Sequence, residues 1–96
     1  MTATLTVRIP RTLTSTTDDQ RLIEISAEPG ETVADVLDGL ASRYPIFDRR
    51  IRDETGAQRR YVNIYLDGED IRRLNGLATP IDDVSELQII QSVAGG

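Results

Sequence analysis

The chain has 96 residues, a length that fits one domain with a single core. Apolar residues make up 39% and charged residues 28%, a balance typical of folded globular domains rather than disordered chains. The net charge of −5 argues against nucleic-acid binding, and no apolar run is long enough to span a membrane. The first ten residues have no basic segment followed by an apolar run, so we expect a cytoplasmic protein without a signal peptide.

The composition also argues against self-contained catalysis. The sequence has no His and no Cys, and all 11 of its basic residues are Arg. These absences remove the usual base near neutral pH, the thiolate nucleophile, the side-chain amine and the commonest transition-metal ligands. We therefore expect a carrier, partner or subunit rather than an enzyme, with no catalytic residue, no metal site and no cofactor bound by this chain.

The first part of the chain predicts two strands. Residues 3–9 and 21–27 alternate apolar and polar side chains, a pattern typical of half-buried strands. The stretch between them, residues 11–20, is polar and rich in Thr and Asp, which indicates a loop.

A helix is predicted next. Apolar residues follow a helical period over 33–44, Thr32 is placed to cap the first turn, and Pro45 ends the helix. Residues 46–52 have apolar side chains four apart, which indicates one or two further helical turns.

The second half predicts a hairpin and a last strand. Residues 60–66 alternate again, and the Asp-Gly pair at 67–68 favours a type I′ turn into a short return strand at 69–72. Residues 73–85 are irregular, and residues 86–91 form the last strand.

This order of elements predicts an α+β fold of the β-grasp (ubiquitin-like) type, with one main helix on one face of a mixed four- to five-stranded sheet. We expect the first and last strands to pair in parallel at the centre and strand 69–72 to lie at an edge. Residues 1–91 would form this domain, and 92–96 a flexible tail. The predicted core contains the inward-facing apolar residues: Leu5, Val7, Ile23, Ile25, Val36, Leu37, Leu40, Val62, Ile64, Leu87 and Ile89.

Gly95-Gly96, at the end of the sequence, is the feature that points to chemistry. Residues without side chains can pass through a narrow tunnel, and five extended residues from Ser92 reach at most about 17 Å. A carboxylate presented in this way could be activated as a mixed anhydride with AMP, using side chains that a partner supplies. Glycines are also common at inert termini, so a plain binding module with an unreactive tail is the alternative.

The sequence resembles the MoaD/ThiS family of ubiquitin-like sulfur carriers over essentially its whole length. Segments 60–65 and 76–79 more narrowly resemble the CysO-type carriers of actinobacterial cysteine biosynthesis. Relatives often carry proline just before the terminal motif, where this chain has Gln91-Ser92. The residues that resemble the terminal motif are the last four: Val93, Ala94, Gly95 and Gly96.

The resemblance implies a cycle with Gly96 as the attachment point. An E1-like enzyme uses ATP and magnesium to adenylate its carboxylate, and a sulfur donor then displaces AMP and leaves a thiocarboxylate. In the CysO-type pathway a pyridoxal-phosphate (PLP) enzyme accepts the sulfur, and a zinc peptidase releases the cysteine that forms.

Two other functions remain open. The chain could be the small subunit of a molybdopterin synthase, or a ubiquitin-like modifier that is conjugated to other proteins. Because it contains no Lys, it cannot form Lys-linked chains of itself, but single conjugation to another protein stays possible.

Side chains opposite the core face indicate where partners bind. Ile90 should point outward from the last strand and Tyr65 outward from its neighbour, and an exposed apolar cluster usually marks an interaction site. The arginines at 49–52, 59–60 and 72–73 are interpreted as solvated surface balanced by nearby acids, with a docking patch as the alternative.

Overall fold

The computed structural model describes residues 3–82 and 86–92, which form a five-stranded mixed sheet with two α-helices and three short 3₁₀ turns. Within these ranges no helix is long and apolar enough to cross a lipid bilayer. The strands are β1 (Ala3–Arg8), β2 (Leu22–Ala27), β3 (Val62–Leu66), β4 (Glu69–Asp70) and β5 (Glu86–Gln91). The helices are α1 (Val33–Arg43) and α2 (Pro45–Ile51).

The strand order across the sheet is β2-β1-β5-β3-β4. β1 and β5 pair in parallel at the centre, and β5 pairs with β3 in the antiparallel sense. The predicted central pairing of the first and last strands is therefore confirmed, and the short strand lies at an edge as expected.

Helix α1 begins with a reciprocal cap. The Thr32 hydroxyl accepts a hydrogen bond from the Asp35 N–H (3.3 Å), and the Asp35 carboxylate accepts one from the Thr32 N–H (3.0 Å). These bonds satisfy two N–H groups that a helix leaves without partners at its start. Pro45 does not only end the first helix: it is the first residue of α2, where its missing N–H is no loss.

The core lies between α1, α2 and one face of the sheet. All of the predicted core residues are buried in it except Ile25, which is only partly buried. The prediction of full burial for Ile25 was wrong: Ile25 packs against the core but also lines a surface depression beside α1, where Gly39 has no side chain to cover it.

Two loops contribute core residues that periodicity did not reveal. The predicted loop 11–20 contains a 3₁₀ turn at Arg11–Thr16 that buries Leu13. The return strand predicted at 69–72 is only two residues long, because the chain then turns at Ile71–Arg73 and buries Ile71. A single apolar residue inside a polar stretch carries no period, so sequence patterning could not assign either one.

Arg52 differs from the other arginines that were interpreted as solvated. It is 8% exposed, and its guanidinium pairs with Asp48 of α2 (2.7 Å) and Asp38 of α1 (3.0 Å). Burial by itself lowers the pKa of Arg52, but the hydrogen bonds and charges of Asp48 and Asp38 outweigh burial and raise it above its ordinary value. A buried charge needs such partners, so Arg52 joins the two helices instead of forming free surface.

Candidate functional site

The sheet face opposite the helices carries a row of side chains that crosses four strands. Cross-strand pairing places Leu22 beside Arg8, Arg8 beside Gln88, and Gln88 beside Tyr65. Ile90 follows on the same face of β5, two residues beyond Gln88. Tyr65 and Ile90 are therefore diagonal neighbours on adjacent strands rather than a directly opposed pair.

The structure confirms the outward orientation expected of Ile90, which is 39% exposed, whereas Tyr65 is half-buried. Leu22 is 54% exposed on the same face and was not singled out from the sequence. The signal was present: in the 21–27 segment the alternate residues Ile23, Ile25 and Ala27 point inward, which leaves Leu22 pointing outward.

A groove of about 430 Å³ lies between the two exposed apolar side chains, Leu22 and Ile90. Three arginines line it together with them: Arg8, Arg11 and Arg21. We call these five residues and the adjoining Tyr65 the outer patch. It combines apolar contact area with positive charge on one side of the sheet.

The charge of the outer patch is opposite to that of the whole chain. Arg8 pairs with Glu86 (3.1 Å), whereas Arg11 and Arg21 are exposed and make no ion pair with any residue in 3–82 or 86–92. The chain as a whole carries a net charge of −5. A partner that complements this patch would present apolar and acidic side chains, because opposite charges on the two surfaces steer and orient docking.

The residues that lead into the predicted tail are tied to their surroundings. The Gln91 side chain accepts a hydrogen bond from the Thr12 hydroxyl (3.0 Å). The Ser92 N–H donates to the carbonyl of Tyr61 (2.7 Å), which extends the β3–β5 hydrogen bonding one residue beyond the strand. Of the predicted tail, only Ser92 is described. The other four residues lie outside the described ranges, so the proposed attachment point and its neighbours stay predictions: Val93, Ala94, Gly95 and Gly96.

Comparison with known proteins gives these features a family context. The model of the ThiS family matches residues 7–96. The sulfur carrier protein CysO of Mycobacterium tuberculosis is 37% identical over 94 residues, which cover 96% of this chain and 98% of that protein. Small archaeal modifier protein 3 of Haloferax volcanii is 31% identical over 77 residues, covering 80% of this chain and 83% of that one.

A solved structure agrees with the sequence comparison. The crystal structure of the Amycolatopsis orientalis BexX/CysO complex contains a chain that matches with a TM-score of 0.78 and 33% identity, covering 96% of this chain and 99% of that one. This match confirms the predicted β-grasp fold. The relatives are named as carrier and modifier proteins, which confirms the expectation that the chain is not itself an enzyme.

Proposed function

Because this chain belongs to the ThiS family, we propose that it is a sulfur carrier that is activated at the carboxylate of Gly96. The observation that carries this proposal is the nearly full-length likeness to a protein named as a sulfur carrier, within a family match that reaches residue 96. The composition supports the same role, because a chain without Cys, His or Lys supplies no strong nucleophile or base of its own.

Activation would take place in two steps on a partner enzyme. In the first, an E1-like enzyme uses ATP and magnesium, and a Gly96 carboxylate oxygen bonds to the α-phosphorus while pyrophosphate leaves. In the second, a sulfur nucleophile attacks the acyl carbon of this adenylate. The bond to AMP breaks, and the product is a thiocarboxylate.

The acceptor would be a PLP-dependent enzyme of cysteine biosynthesis, as the likeness to CysO suggests. The thiocarboxylate sulfur would add to the β-carbon of an aminoacrylate and form a thioester. The α-amine of the cysteine formed in this way would then attack the Gly96 acyl carbon and displace the cysteine thiol, which leaves cysteine in amide linkage to Gly96. A zinc peptidase would hydrolyse that amide and return the carrier.

Docking of these partners would use the outer patch. The relative from Amycolatopsis orientalis crystallised as a complex of CysO with BexX, which supports a protein partner for this chain as well. Exposed Ile90 and Leu22 offer apolar contact area, and Arg11 and Arg21 offer positive charge without an ion-pair partner among the described residues. Ile90 of the outer patch lies two residues before Ser92, so binding there would bring the tail to the same partner.

The test is the intact mass of the protein after incubation with a purified E1-like enzyme, ATP, magnesium and a sulfide source. We expect a gain equal to the mass difference between sulfur and oxygen, and no gain when ATP is omitted. The E1-like enzyme should first be shown to activate its own carrier. If that enzyme is active and this chain keeps its original mass, the proposed function is wrong.

A second candidate is a protein modifier, favoured by the likeness to small archaeal modifier protein 3. In that case the Gly96 carboxylate would be found in an isopeptide bond with a lysine of another protein. Mass spectrometry of proteins linked to this chain in cells would separate the two functions, because a carrier yields a thiocarboxylate and no linked proteins.

A further inference from the structure

Two consecutive hydrogen bonds connect Arg72 to Ser92 through the side chain of Asn63. The Arg72 guanidinium donates through Nη1 to Oδ1 of Asn63 (2.7 Å). Asn63 in turn donates through Nδ2 to the hydroxyl oxygen of Ser92 (3.0 Å). The three residues lie in the 3₁₀ turn Ile71–Arg73, in β3 and just after β5, so the bonds cross from one sheet edge toward its centre.

Arg72 is itself fixed by further bonds. Its Nη2 donates to the carbonyls of Arg59 (3.0 Å) and Arg60 (3.3 Å), and its N–H donates to the Asp70 carboxylate (2.9 Å). A planar guanidinium with several partners has a set orientation. Because this charged donor occupies the Asn63 amide oxygen, the amide nitrogen is directed at Ser92.

Ser92 is thus held at two points, through its N–H to the Tyr61 carbonyl (2.7 Å) and through its hydroxyl to Asn63 (3.0 Å). A proline at this position would have neither the N–H nor the hydroxyl and could form neither bond. The four residues that follow can extend by at most about 14 Å. A fixed starting point confines their far end to a much smaller volume than a free one would.

Asn63 also lies beside the outer patch. It is directly opposite Ile90 in the β3–β5 register, so the residue that holds Ser92 and a residue of the docking surface are cross-strand neighbours. A partner bound to the outer patch would therefore meet the tail at a defined position and angle.

Resting on the proposed function, we propose that Asn63, oriented by Arg72, is a positioning residue that aims the tail from Ser92 into the active site of the activating enzyme. Asn63 takes no part in the chemistry. It increases the fraction of docked complexes in which the Gly96 carboxylate meets ATP, because fixing one end of a segment lowers the entropy lost when its other end is placed.

The kinetic test compares Asn63→Ala with wild type in adenylation by the E1-like enzyme. We expect kcat to fall by about threefold to tenfold, the range for one lost hydrogen bond. KM should change little, because the outer patch that forms the docked complex is intact. Asn63→Asp should restore kcat, since its carboxylate accepts from Arg72 and from the Ser92 hydroxyl. Equal kcat in Asn63→Ala and wild type would overturn the proposal.

Arg72→Ala has a matched control in Arg73→Ala, because Arg73 is the adjacent exposed arginine and its side chain forms no hydrogen bond to the described residues. Arg72→Ala should lower kcat, and combining it with Asn63→Ala should add little, since both act on one contact. Equal losses in Arg72→Ala and Arg73→Ala would show a general charge effect and contradict the proposal.

A readout independent of activity is the backbone order parameter of the Ser92 N–H, measured by NMR relaxation. It should fall in Asn63→Ala and stay at the wild-type value in Arg73→Ala. This measurement needs no partner, so it separates the two proposals. If the wild type is never activated, the proposed function fails, whereas an unchanged Ser92 order parameter in Asn63→Ala refutes the positioning role alone.

Discussion

Ile89 and Ile90 are adjacent in β5 and chemically identical, yet Ile89 is 1% exposed and Ile90 is 39% exposed. Ile89 faces the helices and belongs to the core, whereas Ile90 faces outward beside the groove of the outer patch. The same side chain therefore stabilises the fold at one position and leaves apolar area available for a partner at the next. The alternation of side chains along the strand, and not the residue type, determines which isoleucine packs in the core and which is exposed.

This contrast divides substitutions into two classes. Changes on the inner face should alter the free energy of unfolding and affect activation only through loss of folded protein. Changes on the outer face and in the tail should alter activation and leave the free energy of unfolding nearly unchanged.

Deletion of Gly96 should abolish thiocarboxylate formation. Under the proposed function it removes the reactive carboxylate from the position where the enzyme acts, while the core residues are all in place. The thermal midpoint should match wild type, and the intact mass after incubation with the E1-like enzyme, ATP and sulfide should not increase. A truncated protein that still gains sulfur would show that the attachment point lies elsewhere.

Leu40→Ala should lower the free energy of unfolding by about 2–5 kcal/mol, through lost apolar contacts and the cavity left behind. Leu40 is 1% exposed and belongs to the core cluster. Denaturant unfolding measures the change. At low denaturant, where the variant is folded, activation per folded molecule should equal that of wild type. A loss smaller than about 0.5 kcal/mol would contradict the packing of this helix face.

The inner face is also the part that sequence reasoning predicted well. Apolar residues recur every two positions along β5 and about every 3.6 positions along α1. These periods identify Leu87 and Leu40 as inward-facing, because residues spaced in this way lie on the same face of a strand or helix. The type I′ turn could also be predicted, because it depends on two adjacent residues. Asp67 and Gly68 both have positive φ, 46° and 86°, as that turn requires.

What the sequence could not predict depends on contacts between distant segments. Arginine is usually a surface residue, yet Arg52 is buried, and one of its two ion-pair partners, Asp38, belongs to α1 rather than to its own helix. The bonds from Arg72 to Asn63 and on to Ser92 join residues 9 and 29 positions apart. No periodic pattern marks such pairs, since each is made by the packing of elements rather than by local conformation.

Ile90→Asp should weaken activation at least tenfold, or about 1.4 kcal/mol, and leave the thermal midpoint nearly unchanged. The substitution places a negative charge in the outer patch, where the partner is expected to be acidic. Thr4→Asp is a matched control, because Thr4 is exposed on the same sheet face but does not line the groove. Adenylation kinetics provide the measurement. Normal activation of Ile90→Asp would place the docking surface elsewhere, and unfolding would show that Ile90 belongs to the core.

Gly39→Ala tests the contrast within α1, where Gly39 is exposed and its neighbour Leu40 is buried. Apart from the adjacent residues and the backbone of α1 itself, a Cβ added at Gly39 would meet no atom within 4 Å, and glycine lowers the stability of a helix interior. We expect the free energy of unfolding to rise by about 0.5–1 kcal/mol, with activation unchanged. A decrease in denaturant midpoint would contradict the open space that the structure shows there.

The smallest expected effect lies in the loop after α2, away from both sheet faces, and it depends on pH. The Asp53 carboxylate accepts hydrogen bonds from the Thr55 hydroxyl (2.6 Å) and the Ala57 N–H (3.1 Å), and these bonds, the Thr55 bond above all, hold its pKa below its ordinary value. Since protonation is harder in the folded state than in the unfolded state, Asp53 contributes stability above its unfolded pKa. That contribution is lost as pH falls through the lowered folded value.

Asp53→Asn removes this titration and keeps an acceptor oxygen in place. The stability difference between wild type and Asp53→Asn should be constant above about pH 5 and shift against wild type as the pH falls below 4. Thr55→Ala removes the leading donor but keeps the carboxylate, so its unfolding should depend less on pH than that of wild type over the same range. Denaturant midpoints across a pH series provide the measurement. Activation by the partner should be the same in all three proteins, because this loop belongs to neither the outer patch nor the tail. Identical pH dependence of unfolding in all three proteins would mean that the Thr55 bond does not persist in solution.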